Sequence, residues 1–332
     1  MEYFNYKNLG AFIIPTGIGA SIGGYAGDAS LYAKEFSKIC KIIVNPNVVN
    51  AGIFSGINDN MLYVEGYAID EFFKGNIELK ESKKNKIGIV FDKSIPIEIL
   101  NIHINTINAV KTIYGINIKD YAITEEDVGV EFYIDSSGIS TGRVKNIKTL
   151  LKASESLVKQ GCEAIALVCL FNDDDLNENY SNGLGVDPIG GIEAIISHYI
   201  TKELKVPCAH APAFKNYEIS TSIVNPKAAA EYITPTYLPC VLLGLNNAPL
   251  LTKNGNYSLK NIDFLIVPYN ALGSIPVFEA LKNDIKIYAI KENVTILNVT
   301  NVSIRKSCGI NIVRTYSEAL ELIKNERKII ST

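Results

Sequence analysis

Histidine is scarce in this chain, three residues in 332, and arginine nearly so, with four. Imidazole chemistry is therefore confined to His103, His198 and His210. No two of the six cysteines stand in C-x-x-C spacing: Cys40, Cys162, Cys169, Cys208, Cys240 and Cys308 are scattered, five of them in or beside apolar runs. That pattern argues against structural zinc and a disulfide framework, and fits the reduced, buried thiols of a cytoplasmic protein. No apolar run approaches the roughly 18 residues needed to span a bilayer. The start, Met1-Glu2-Tyr3-Phe4-Asn5, lacks the basic opening and apolar stretch of a secretory signal. Neither a membrane nor export is expected. Basic residues are spread out, and the densest group, Lys83, Lys84 and Lys86, reads as a solvated turn. With a net charge of −3, nucleic acid is an unsuitable partner.

What is present is ample core material, 47% hydrophobic residues, in a chain longer than most single cores. Strand-like apolar runs fall at residues 11–15, 39–44, 87–91, 164–171, 207–210, 237–243, 264–267 and 285–290. Several are Ile- and Val-rich without alternation, as expected of strands covered on both faces. Helical patterns lie between them at 28–39, 95–114, 147–160, 189–204 and 317–325, with Gly115 and Gly161 as stops. Repeated strand–helix order predicts an α/β fold, Rossmann-like, with mostly parallel sheets and flanking helices. Two subdomains around a cleft are expected, 1–145 and 146–332, with a soft boundary near Lys145.

The densest glycine segment runs Pro15-Thr16-Gly17-Ile18-Gly19-Ala20-Ser21-Ile22-Gly23-Gly24-Tyr25-Ala26-Gly27-Asp28 between a strand and a helix. Glycine lets backbone N–H groups approach a ligand, and a helix N-terminus favours an anion. Thr16, Gly17, Gly19, Ser21, Gly23, Gly24 and Asp28 are therefore candidate binding residues. The dinucleotide fingerprint fails, because Ile22 stands where its third glycine belongs. The P-loop fails too, because Tyr25 follows Gly24. NAD and ATP of those types are disfavoured. Close packing of a tight turn accounts for the glycines as well. A second cluster, Gly183 to Gly191, opens a helix with Pro188 at its first turn. A third, Ser136 to Arg143, offers hydroxyls and one guanidinium, and Arg143 is suited either to clamping a carboxylate or to an ion pair.

The apolar run 164–171 leads straight into Asn172-Asp173-Asp174-Asp175. Ligands in open α/β sheets gather beyond strand carboxyl ends. Asp174, Asp187 and His210 are the catalytic candidates, and Asp173, Asp175, Glu193 and His198 the candidates for a divalent cation. A solvated acidic loop is the equal alternative for the aspartates. If 207–210 is extended, Cys208 and His210 share a face; a buried, inert Cys208 is favoured over a nucleophile. His103 is expected at the surface of its helix. Near the C-terminus, Asn270, Ser274, Glu292 and Asn293 follow strands and offer polar contacts to a ligand or ordinary turn chemistry. Ile14-Pro15 with Ser21-Ile22 six residues on is echoed by Val267-Pro268 with Ser274-Ile275. A shared turn geometry accounts for that echo; two loops lining one cleft is the functional alternative.

Taken together, Pro15–Asp28, Leu-Tyr-Val-Glu-Gly-Tyr at 62–67, Gly183–His198, Pro207–Pro212, Leu238–Leu245 and Ala289–Thr295 resemble an uncharacterised domain-of-unknown-function family of photosynthetic and other bacteria and of plastids. The resemblance spans nearly the whole chain, which implies one continuous unit, and it brings no assigned activity. Family members carry His-Pro-Asn where this chain reads Asn45-Pro46-Asn47.

The expected function is an enzyme acting on a small anionic metabolite, a carboxylate or phosphorylated compound, by acid–base or metal-assisted hydrolysis, isomerisation or elimination. A non-catalytic metabolite sensor and an oligomeric structural scaffold are the alternatives, and a homo-oligomer is compatible with any of them.

Overall fold

The computed structural model describes residues 8–172, 180–305 and 308–331. Asp173, Asp174 and Asp175 lie outside the described residues.

Ten strands build two sheets: β1 (Leu9–Phe12), β2 (Lys41–Val44), β3 (Met61–Tyr63), β4 (Ile87–Phe91), β5 (Ile118–Ile123), β6 (Ala164–Phe171), β7 (Cys208–Phe214), β8 (Ile262–Pro268), β9 (Lys286–Ile290) and β10 (Ile310–Val313). A six-stranded sheet has the order β10-β9-β8-β1-β2-β3 and a four-stranded sheet the order β7-β6-β4-β5. Both are wholly parallel. β4 is buried along its whole length, as its unalternating apolar sequence requires.

Eight longer helices connect them: α1 (Ser30–Ser37), α2 (Gly66–Phe73), α3 (Ile97–Tyr114), α4 (Ile147–Lys159), α5 (Gly190–Leu204), α6 (Leu238–Asn246), α7 (Ile275–Lys282) and α8 (Tyr316–Ser331). α3 stops at Gly115 in the left-handed conformation that glycine adopts without a Cβ penalty. None of the helices is long and apolar enough to cross a membrane among the described residues.

The sheets do not divide the chain at residue 145. The six-stranded sheet takes its strands from both ends of the sequence, and the four-stranded sheet takes its strands from the middle. Lys145 falls inside that middle stretch, between β5 and β6. A boundary there would separate β4 from its hydrogen-bonded neighbour β6.

One apolar cluster joins the two sheets, from Phe12 and Ile14 through Tyr63 and Leu242 to Phe91 and Ala211. A second covers the other face of the six-stranded sheet under α2 and α7. A third lies between the four-stranded sheet, α4 and α5. Residues 237–243, expected as a strand, are the start of α6. The helix is apolar nearly all round because it is buried between the sheets, and such a run carries no period to tell it from a core strand. Gly244 brings it onto Tyr63, where an added Cβ would lie 2.7 Å from the ring. His103 is likewise not at the surface. It is wholly buried, with its Nδ1 2.9 Å from the Ile99 carbonyl and its ring edge-on to Phe91.

Candidate functional site

In the six-stranded sheet, β1 and β8 are neighbours whose chains depart in opposite directions across the sheet. Ligand crevices form at such a reversal, beyond the strand carboxyl ends. A cavity of about 360 Å³ opens there, lined by Thr16 from the loop after β1 and by Ser274 from the loop after β8. The sequence echo thus marks two adjacent loops on one cavity. A larger cavity of about 640 Å³ adjoins it toward the four-stranded sheet. Asn50, Tyr180, Asp187, Glu193, His210 and Glu231 line both, so the two form one cleft with a shared wall.

Each side chain of that wall is placed by a local device. Asp187 accepts from the Ile189 N–H at 3.0 Å, at the start of α5. Glycine follows twice because the helix end is tightly packed: a Cβ at Gly190 would come within 2.7 Å of Thr16, and one at Gly191 within 1.9 Å of the Ser140 carbonyl. Glu193, in the first turn of α5, points its Oε1 to His210 Nδ1 on β7, 3.0 Å away. His210 stands edge-on to Phe171, and its Nε2 has no hydrogen-bond partner. Glu231 sits in the short helix Ala229–Tyr232 and shares a hydrogen bond with Tyr180. The Tyr180 ring packs on Tyr25 of the first glycine loop at 4.8 Å.

Electrostatics at this wall favour neutral acids. Burial pushes Asp187 up to about 7, helped by the charge of Glu193. Burial alone raises Glu193 to about 8. Glu231 is raised to about 8 by burial and then by Asp187. His210 is driven down to about 3 by burial. Near neutral pH the Glu193–His210 pair is thus a carboxylic acid against an uncharged imidazole.

The smaller cavity has a second acid–imidazole pair. Glu65 caps α2, accepting from Tyr67 and Ala68 N–H at 2.9 and 2.6 Å, and its Oε2 lies 3.5 Å from His198 Nε2. Burial lifts Glu65 to about 7 and lowers His198 to about 4. Asn45 and Asn47 also line this cavity and hold the turn after β1, donating to the Ile14 and Pro15 carbonyls.

The model of a protein of unknown function, DUF3326, matches residues 10–332. The chain belongs to this family. A relative by sequence similarity, an uncharacterized lipoprotein of Synechococcus sp. (strain ATCC 27144 / PCC 6301 / SAUG 1402/1), is 36% identical over 317 residues, 93% of this chain and 88% of the relative. No solved structure matches.

Within this DUF3326 chain the expected binding residues separate sharply. Thr16, Gly24 and Ser274 line the smaller cavity. Gly17, Gly19 and Gly23 have positive φ and pack against Ser140, Val186 and Ile14 respectively. Three amides of the loop expected to hold an anion are committed: Ser21 N–H to the Val294 carbonyl, Ile22 N–H to Asn293 Oδ1 and Gly23 N–H to Asp28 Oδ1. The protein's own Asp28 carboxylate occupies the glycine turn. Asn270, Glu292 and Asn293 brace the backbone at Thr295, Tyr316 and Ile22 and do not line either cavity. Arg143 is exposed on the hairpin Val130–Ile134/Ser140–Val144, away from both cavities. No lysine or arginine among the described residues lines either one.

Asp187 and His210, expected as catalytic, do meet, and Glu193 meets them as a hydrogen-bonded acid. Among the described residues no three His, Cys, Asp or Glu groups are grouped to hold a metal. Cys208 is buried, and burial holds its thiol well above the usual range, which suits an inert thiol. Sequence reasoning missed Glu231, Glu65, Tyr180 and Asn50. Glu65-Gly66 carried the one available signal, an acid ahead of an amphipathic helix.

Proposed function

We propose that the cleft is the active site of an enzyme performing acid–base chemistry on a small polar metabolite: hydrolysis, isomerisation or elimination. The observation that carries this is the convergence of Asp187, Glu193, Glu231 and His210 on one wall shared by two cavities. Acids held near neutrality by burial exchange protons most readily at working pH. Glu193 and Asp187 are the acid and base of the proposal, and His210 orients Glu193 and offers Nε2 to the substrate. A combined volume of several hundred Å³ suits a metabolite rather than a polymer.

The glycine loops serve the proposal as scaffolding. An anionic substrate finds little to neutralise it here, since no lysine or arginine lines either cavity among the described residues. A cytoplasmic location belongs to the same proposal, supported by free cysteines of which five are buried. A membrane tether, implied for the relative by its name, is the alternative.

The test is conversion of a metabolite extract, followed by mass spectrometry. Glu193→Gln and Asp187→Asn should each slow consumption of the identified substrate by about 10²–10⁴-fold while leaving the fold intact. Ligand-dependent stabilisation with no product would make the chain a sensor. Undiminished turnover in both variants would remove the proposal.

A further inference from the structure

We propose that the larger cavity takes a compact organic cation, an amine or guanidinium compound, seated between the carboxyl groups of Asp187, Glu193 and Glu231 and the rings of Tyr180 and Tyr237. This rests on reading the cleft as a ligand site and names the charge of its occupant.

Three independent features of the lining point the same way. First, the cavity wall carries four carboxyl groups, Asp187, Glu193, Glu218 and Glu231, with no lysine or arginine among the lining residues. Like charges crowd: Asp187 feels Glu193, and Glu231 feels Asp187, Glu193 and Asp28. A bound anion would add to that repulsion, whereas a cation would relieve it. Second, tyrosines and carboxylates are interleaved, since Tyr180, Tyr232 and Tyr237 lie on the same lining. Ring faces beside carboxylates are the usual surroundings of a bound ammonium or guanidinium group. Third, the site is polar and unfinished. His210 is only 8% exposed, yet its Nε2 has no partner. A buried ring nitrogen left so costs stability unless something binds it.

Nearby, Lys227 is committed elsewhere. Its Nζ reaches the Ser21 carbonyl, lies 5.7 Å from the Tyr25 ring centre and acts on Asp28. It does not line the cavity. A cation between the acids would draw out their protons, so binding is coupled to proton release and strengthens with pH until the acids are ionised.

The experiment uses putrescine and agmatine as probes, with succinate, inorganic phosphate and Mg²⁺ as controls. Binding is read by thermal shift and by calorimetry in buffers of different ionisation enthalpy. The amines should stabilise the full chain saturably, release protons on binding and bind more tightly at pH 8 than at pH 6. Glu231→Gln and Asp187→Asn mimic the protonated acids, so they should fold and yet weaken amine binding by about thirtyfold or more. Stabilisation by succinate, phosphate or Mg²⁺ in place of the amines would overturn the inference. So would the absence of an amine effect, or an amine effect untouched by both substitutions. Amine binding by a chain that converts nothing in the metabolite extract keeps this inference and defeats the enzymatic proposal; turnover of an anionic metabolite does the reverse.

Discussion

At Gly191 one methyl group would have to enter space held by backbone. The added Cβ would stand 1.9 Å from the Ser140 carbonyl oxygen, and backbone cannot rotate aside as a flexible side chain can. Gly191→Ala should therefore push the start of α5 off the hairpin and cost about 2–3 kcal/mol in chemical denaturation. Because Asp187 and Glu193 ride on that end of the helix, ligand binding should weaken in the same variant. Gly115→Ala is the control. It shares positive φ with many glycines here but has nothing within 4 Å, so only backbone strain of about 1 kcal/mol is expected. A midpoint for Gly191→Ala no lower than that of Gly115→Ala would show that α5 can shift freely. The contrast explains why the glycine clusters were legible as special in the sequence but not as to purpose. A missing Cβ admits a ligand or another stretch of the same chain, and composition does not distinguish the two. At Gly17, Gly23, Gly190 and Gly191 the visitor is the chain.

Between elements, Asn293 fastens the loop after β9 to two others. Its Nδ2 donates to the Ile22 carbonyl and the Tyr316 hydroxyl, and its Oδ1 accepts from Ile22 N–H, all within a wholly buried side chain. Asn293→Ala would leave the Ile22 amide and the Tyr316 hydroxyl unpaired. A loss of about 2–4 kcal/mol is expected, read as a lowered midpoint, with the first glycine loop exchanging amide hydrogens faster. Equal protection of that loop in the variant would show that the strut is dispensable. Element by element, β4 and β6 stood in the sequence as unalternating apolar runs of strand length, and α5 as a helical stretch opened by Pro188 and two glycines. α6 was misread as a strand, since burial on all sides erases the polar face that reveals a helix. Glu231 was invisible for a related reason. Its short helix has no amphipathic signature, and its role arises only when 229–232 folds over Tyr180 and the start of α5.

On the scale of the molecule, a cleft between two nested sheets concentrates acids that would be ordinary in water. Asp187, Glu193 and Glu231 have folded-state values of about 7, 8 and 8, while unfolded carboxylates titrate near 4–4.5. A raised acid binds its proton more tightly in the folded chain. Its contribution to stability is whole below the unfolded value and is lost as pH rises through the folded one. Glu65 at about 7 acts in the same sense, and Asp28 and Asp70 at about 6 complete their loss earlier. His210 and His198 act oppositely, with values depressed to about 3 and 4, but their effect is spent once pH exceeds about 6.5. The cation Lys227 bears on Asp28 and offsets only part of the burden there. Above pH 6.5 the carboxylic acids remain, joined toward pH 8.5 by the buried thiols that burial also raises, so the melting temperature of the empty protein should fall between pH 6.5 and 8.5. Glu231→Gln, which cannot ionise, should flatten that fall and melt higher than the parent at pH 8.5. An organic cation in the cleft should flatten it as well, by compensating the same charges. A melting temperature that is level or rises across this window in the ligand-free parent would mean that the three acids are solvated, and the cleft an open acidic surface.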